Sequence, residues 1–397
     1  MSRDLDAAGQ PLQTLYVPAD GVTTTTTIEF GAEALRLLDA HAPDAASFES
    51  AFGVDAAVAE LTRSRVRAKL ERLPVDDLRA DFEDGYGVRP DDEEDRHAEA
   101  TARAVRAARE DGTASPSFGL RVKSFADGAQ ERSLRTLDTF LTTLTEGAAG
   151  LPDGFVVTFP KVTTVEHVAD FAAALERLEA RLGLAERSLR FEVQVETPRS
   201  VLGPDGGAAA PRVLEAGDGR ITAMHLGVFD YTASLGLMPW EQRLDHPAND
   251  FARHALQVAL AGTGVSMSDG SSNVVPATDR TEDVHAAWGV HADHVRHSLR
   301  HGFYQGWDLH PAHLVSRYAA VYGWLLPHLD GAASRVRAWR RGVEGLGVLD
   351  EPATVASLLR YLRLAVSSGA VDEAEVLETT GLARDELLGI GADRRPP

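Results

Sequence analysis

The sequence predicts an α/β fold: a TIM (β/α)8 barrel over residues 1–330, followed by a C-terminal helical domain over residues 331–397. Three observations carry this. Eight short apolar segments alternate with helical stretches, the pattern of βα units that close on a parallel sheet. Neither GxGxxG after the first strand nor GxxxxGK[ST] anywhere occurs, so an open nucleotide-binding sheet lacks both of its fingerprints. Near residue 330 the βα rhythm stops, and residues 332–390 read as helices broken at 342–347 and 367–370.

In chain order the strands are expected at residues 14–18, 78–82, 118–124, 155–160, 189–196, 222–229, 264–267 and 304–309. The first crossover, from Pro18 to Asp81, is long enough to hold an extra helical segment at about 40–75, centred on a helix at 56–73. Apolar residues at helical spacing place amphipathic helices over 165–182 and 250–261. The fifth strand alternates with period two, so Phe191, Val193 and Val195 face the helices while Glu192, Gln194 and Glu196 point into the barrel.

Composition narrows the function. The formal charge of −20 disfavours nucleic acid, which needs a basic face, and anionic lipid surfaces alike. It is compatible with a high-salt host, and equally with a simple solubility device. No run of about 18 apolar residues predicts a membrane span, and residues 1–20 lack a secretory pattern. The absence of cysteine removes thiolate nucleophiles and Cys-ligated metals. A cytoplasmic location is the default expectation. Of 40 basic residues only Lys69, Lys123 and Lys161 are lysine, leaving 37 arginines, and two of those three lysines sit at strand ends.

In such a barrel the active site lies at the C-terminal ends of the strands. Those ends carry Asp20, then Asp81, Glu83 and Asp84, then Arg121 and Lys123, then Lys161, Glu196, Arg199, Asp230, Asp269 and Asp308. A ring of acids with a few bases suits a hard divalent cation and an anionic substrate. Arg121 and Lys123 are expected on one face of their strand, where a buried cation requires an anionic partner. A histidine cluster, with His291, His294, His297 and His301 on one helical face, lacks the close acidic base of a catalytic zinc motif. It is expected to be an exposed face on the outside of the barrel.

Seven motifs in order then resemble the citrate lyase beta-subunit, malyl-CoA lyase and HpcH/HpaI aldolase group, with malate synthase as a relative. They are LYVPAD at 15–20, DFEDG at 81–85, LRVKS at 120–124, FPKV at 159–162, VETPRS at 195–200, LGVFDYTASLG at 226–236 and GFYQGWDLHPAHL at 302–314. The resemblance implies that Glu196 and Asp230 hold Mg²⁺ (or Mn²⁺). It further implies that Arg121 binds substrate and stabilises an enolate, with Glu83 and Asp84 orienting it. Lys123 and Lys161 join the substrate site in this reading. The stretch LDEPATVASLLRYL at 349–362 is similar to the part of malate synthases that supplies a catalytic acid, here Glu351 with Asp350 beside it. An ordinary helix start explains those two residues as well.

The implied activity is Mg²⁺-dependent carbon–carbon bond cleavage through an enolate, on a 2-keto acid or hydroxyacyl substrate that includes a CoA thioester in some relatives. Two alternatives remain open. One is a malate-synthase-like condensation of acetyl-CoA with glyoxylate; the other is a non-catalytic keto-acid-binding subunit. The resemblance also implies a homo-oligomer, trimeric or hexameric.

Overall fold

A computed structural model describes residues 9–341, 351–382 and 386–387. Eight parallel strands close into a barrel in sequence order. They are β1 (Gln13–Pro18), β2 (Asp77–Asp81), β3 (Ser117–Arg121), β4 (Phe155–Phe159), β5 (Phe191–Val195), β6 (Ile221–Leu226), β7 (Ser266–Ser271) and β8 (Gln305–Asp308). β1 pairs with both β2 and β8, so no edge is left open. Every strand expected from the sequence is present. β7 overlaps its expected range only at Ser266 and Met267 and continues through Ser268, Asp269, Gly270 and Ser271.

Helices fill the crossovers. The helix Val165–Leu182 starts where the Thr164 side chain accepts from the His167 N–H, and ends at Gly183 with φ +67°, the left-handed conformation glycine adopts freely. Its inward stripe includes Val168, Phe171, Leu175 and Leu178, and Phe171 stacks on Phe159 of β4 at 4.4 Å. The long first crossover carries three helices, Thr26–His41, Ala45–Phe52 and Ala59–Arg72, two of them ahead of the one anticipated. Among the described residues no helix is long and apolar enough to cross a membrane.

Inside the barrel, beneath its mouth, lies a charged layer rather than an aliphatic one. Arg79 is fully buried. It donates to the Val156 carbonyl at 2.6 Å and to Asp77 at 2.7 Å, and pairs with Glu192 at 3.2 Å. Glu192 accepts from Thr158 and lies 3.5 Å from His225. Burial raises the Glu192 pKa, but Arg79 and His225 outweigh it and hold the carboxylate ionised well below its ordinary range. Gly119 makes room for this layer.

After β8 the helix Pro311–Leu325 runs away from the mouth, and three further helices follow: Leu329–Arg340, Pro352–Ser367 and Glu373–Thr380. They are tied to the end of Pro311–Leu325 remote from the mouth. Tyr322 Oη donates to the Ser368 carbonyl and Tyr361 Oη to the Leu325 carbonyl, both at 2.7 Å. Arg65 of the first crossover reaches Asp372 and Glu375.

The histidine helix, Thr281–Arg300, differs from expectation. His291 and His294 are buried, as is His313 on the neighbouring helix. The face that carries the 3-3-4 spacing is only partly exposed: His291 packs against Pro311–Leu325, stacking on His313 at 4.3 Å, whereas His297 and His301 lie beside Asp250 about one-quarter exposed. The His291 Nδ1 lies 2.7 Å from Ser316 Oγ. Burial pushes the His291 pKa down, so the ring is neutral.

Candidate active site

The C-terminal ends of the strands surround a cavity of about 510 Å³. Its lining combines charge from β2, β3, β5 and the turn after β6 with apolar walls from Tyr16, Pro18, Val228, Phe229, Trp307 and Leu309.

Asp81 and Arg121 are register partners on adjacent strands. Both are buried, and the pair is bidentate, with Nε and Nη2 donating to the two carboxylate oxygens at 2.7 and 2.6 Å. This is the fork geometry that fixes a guanidinium most firmly. The Asp81 carboxylate also accepts from the backbone N–H of Glu83 and of Gly85. Glu83 adds a contact to Arg121 Nη1 at 3.3 Å, and the Tyr16 ring lies 5.0 Å beneath the guanidinium. Orientation of Arg121 therefore falls first to Asp81, in sequence no more than a strand-end acid, and second to Glu83. Asp84 does not touch Arg121; it binds Lys161.

Lys161 follows β4 with φ +47°, a left-handed conformation that a lysine rarely adopts. Strain of this kind concentrates at functional sites. Its Nζ lies 2.6 Å from both Glu83 and Asp84 and 3.6 Å from Asp230. Its backbone N–H donates to Glu196 Oε2 at 2.8 Å. The Asp84 carboxyl is opposed by its own desolvation, but the Lys161 hydrogen bond prevails and lowers its pKa. Burial raises the Glu83 pKa against the pull of Arg121.

Glu196 is 3% exposed. Gly227, at the end of β6, permits its position: a Cβ there would stand 2.1 Å from Glu196 Cγ and 2.4 Å from Oε1. Three residues on, Asp230 projects into the same cavity from the first turn of the helix Val228–Ser234. Burial, with Glu83 and Asp230 adding repulsion, pushes the Glu196 carboxyl up to about 8 despite Arg121. The mouth thus gathers five carboxylates (Asp81, Glu83, Asp84, Glu196, Asp230) against two cations, Arg121 and Lys161. A buried acid of this sort lacks one thing, a positive charge. Two oxygen donors beside open volume fit a hard divalent ion that keeps water or substrate in its other positions.

Two sequence expectations are redirected. β3 ends at Arg121, so the alternation does not carry on to Lys123. That side chain turns outward to the Phe82 and Gly87 carbonyls and forms an ion pair at 2.9 Å with the fully buried Glu94. Its anionic partner is a helix, not a substrate. Replacing it by methionine, Lys123→Met, should lower unfolding stability by about 1–3 kcal/mol, because the fully buried Glu94 would keep only Thr136 and Arg132, while kcat/KM changes less than twofold. Chemical denaturation alongside steady-state kinetics checks both halves. Glu351 is exposed and precedes the helix Pro352–Ser367, and it is not among the residues lining the cavity. Asp350 lies outside the described residues. Of the remaining strand-end acids, Asp269 is bound by Arg253 and Asp308 by Arg317, both bidentate and buried. Sequence reasoning did not single out Tyr16 or Trp307 for the site. Single aromatics inside strands read as core, and their rings do pack together, tilted with centroids 4.8 Å apart, while also lining the cavity.

Fold and mouth together define a class: closed (β/α)8 barrels with an acid-rich site at the strand ends. Within it, the chain belongs to the family described as Domain of unknown function (DUF6986), whose model matches residues 5–395. The chain is also similar to an L-malyl-CoA/beta-methylmalyl-CoA lyase of Haloarcula marismortui, 23% identical over 269 residues, covering 67% of this chain and 73% of that protein. Among solved structures it resembles a citrate lyase from Burkholderia xenovorans, with TM-score 0.60 and 20% identity over 81% of this chain and 93% of the other. It also resembles the Haloferax volcanii malate synthase, with TM-score 0.51 and 14% identity over 94% and 97%. The group to which the seven motifs pointed is the group these comparisons return.

Proposed function

We propose that this protein is a Mg²⁺-dependent carbon–carbon lyase acting on a hydroxyacyl or 2-keto acid substrate through an enolate. The observation that carries the reading is the buried Glu196, set near Asp230 and only partly balanced by Arg121, whose guanidinium is committed to Asp81 and Glu83. The similarity to a malyl-CoA lyase supports the same class. Glu196 and Asp230 would hold Mg²⁺, with Mn²⁺ able to replace it; bound there, the ion supplies positive charge to the oxygens of a 2-keto acid or its carboxylate. Arg121 cannot swing, so its guanidinium remains aimed into the cavity where oxyanion charge develops. In cleavage, the substrate hydroxyl loses its proton, its oxygen closes to a carbonyl as the adjacent C–C bond breaks, the electron pair collects on the enolate oxygen, and the proton is returned to the enolate carbon. Glu83, whose basicity is raised by burial and which touches both Arg121 and Lys161, is the barrel acid suited to carry that proton. Tyr16, Trp307 and Leu309 exclude water from the acyl portion.

The experiment is an incubation of the full-length protein with L-malyl-CoA and related hydroxyacyl-CoA thioesters, with and without Mg²⁺, trapping released keto acid as its hydrazone. Keto acid formed only with metal, without free thiol, is the expected result. Free CoA from acetyl-CoA plus glyoxylate would favour the condensation of the malate-synthase type instead, and the cysteine-free chain adds no thiol background. Keto-acid binding by calorimetry with no turnover under any pairing would overturn the enzymatic reading.

The metal should also report the Glu196 proton. Because that carboxyl titrates near 8, a cation must displace its proton at lower pH. Apparent Mg²⁺ affinity should therefore fall with pH below 8, by at most about tenfold per unit. Calorimetric titration between pH 6 and 9 checks this; a flat profile removes Glu196 from the ligand set.

A further inference from the structure

On the outer wall of the barrel, away from the mouth, two helices present paired ligands to each other. The helix Pro247–Leu260 carries Asp250 and His254 one turn apart, and the helix Thr281–Arg300 carries His297 with His301 at its C-terminal cap. The i, i+4 spacing stacks each pair on one helical face. The His297 Nε2 lies 2.8 Å from Asp250 Oδ1 and the His301 Nε2 lies 3.8 Å from the same oxygen. The ligand atoms of these three residues all fall within 4.8 Å of one another. The His254 ring centroid lies 5.3 Å from that of His301. All three inner members are about one-quarter exposed, so an ion in solution can reach them.

We propose that Asp250, His297 and His301, with His254 closing the set, form a binding site for a zinc-class divalent ion that clamps these two helices together. Two details of bonding favour it. The His301 Nδ1 lies 2.9 Å from the His297 carbonyl. Since a carbonyl only accepts, Nδ1 is the donor, which leaves Nε2 as the nitrogen facing Asp250 and available to a metal, the arrangement of a metal-bound histidine with its outer hydrogen bond. Asp250 spends Oδ1 on Arg253 and His297, whereas Oδ2 takes no hydrogen bond from the described residues.

The neighbouring cluster His291, Asp308 and His313 has comparable spacing but the opposite character. Both Asp308 oxygens are taken by Arg317, and His313 Nε2 is held by the Val274 carbonyl. Imidazole donors select zinc, cobalt, nickel or copper over Mg²⁺, which keeps this site chemically separate from the carboxylates of the mouth.

The test strips the full-length protein with a chelator, restores excess Mg²⁺ to occupy the mouth, and titrates Zn²⁺ by calorimetry and Co²⁺ by visible absorption. One equivalent of zinc per chain is expected, with cobalt giving the intense d–d bands of low coordination number. His301→Gln and His297→Gln should each weaken zinc at least tenfold and abolish the cobalt bands. His254 is exposed, so His254→Gln keeps the fold intact and should weaken binding in the same direction. Circular dichroism melts in chelator show whether the variants remain folded. Glu196→Gln should bind zinc as the wild type does. The proposal is overturned by a wild type that takes up no zinc, by folded His301→Gln and His254→Gln variants that bind it undiminished, or by loss of the site in Glu196→Gln or His313→Gln.

Discussion

Glu196→Gln should abolish Mg²⁺-dependent turnover, by about a thousandfold or more, while making the metal-free protein more stable at alkaline pH. The two effects have one origin. In the wild type the carboxyl is fully buried and titrates near 8. A carboxyl whose pKa is raised on folding supports the fold while protonated. That support is complete below about 4.3, the ordinary glutamate value, and is lost as pH climbs through about 8. Above that pH the folded protein holds an anion that it would rather neutralise. Glutamine has the same shape and no charge, so at pH 8.5 the variant's melting temperature should exceed that of metal-free wild type by a few degrees. Saturating Mg²⁺ should raise the wild type and leave the variant unmoved. Differential scanning calorimetry on both proteins, with and without Mg²⁺, checks this. A variant that melts lower than metal-free wild type would show Glu196 to be structural, and retained turnover would remove it from the mechanism.

The largest loss of stability is expected not at a bulky core residue but at Gly119. A Cβ at that position would stand 1.7 Å from the Val156 carbonyl oxygen and 2.5 Å from Arg79 Nη1. The first neighbour is backbone of the adjacent strand and cannot yield; the second is a fully buried guanidinium already committed to Val156, Asp77 and Glu192. Either β4 separates from β3 or Arg79 abandons its partners inside the barrel. Breaking a buried ion pair alone costs about 3–5 kcal/mol, so Gly119→Ala should lose at least that much in urea denaturation. Gly21→Ala is a fair control, since a Cβ there meets only a Val17 methyl at 3.6 Å. Comparable losses in both would mean that the interior layer is not what makes Gly119 indispensable.

Much of this molecule was legible in its sequence because strands buried on both faces write long apolar runs and their ends write charge. β4, FVVTF with Lys161 just beyond it, shows it best. β7 was placed short because Ser268, Asp269, Gly270 and Ser271 have the composition of a turn. They remain extended only because Arg253 and Ser298 satisfy Asp269 and because Gly270 passes close to the Leu226 carbonyl, neither of which local sequence reveals. The acids and bases of the mouth were identified one strand at a time, yet their pairing was not. That Arg121 is held chiefly by Asp81 follows from strand register. That Lys123 turns outward follows from β3 stopping at Arg121. The histidine face was misplaced because spacing reports which residues share a side of a helix, not which side is buried.

The mouth is assembled from two kinds of support. Asp81, Arg121 and Glu196 belong to strands or stand one residue beyond a strand's end, and the first two are paired in register. Glu83, Asp84, Lys161 and Asp230 sit on the connections beyond them. The first group is therefore inherited with the barrel itself, since moving any member means moving the sheet. The second group is carried by turns, but those turns also brace the first: the Glu83 and Gly85 N–H groups hold Asp81 and the Lys161 N–H holds Glu196. Because Glu83 and Asp230 carry roles in the proposed chemistry, changes that alter the choice of substrate should fall on the apolar walls beside them, at Val228, Phe229 and Leu309, long before they reach the charged residues of the mouth.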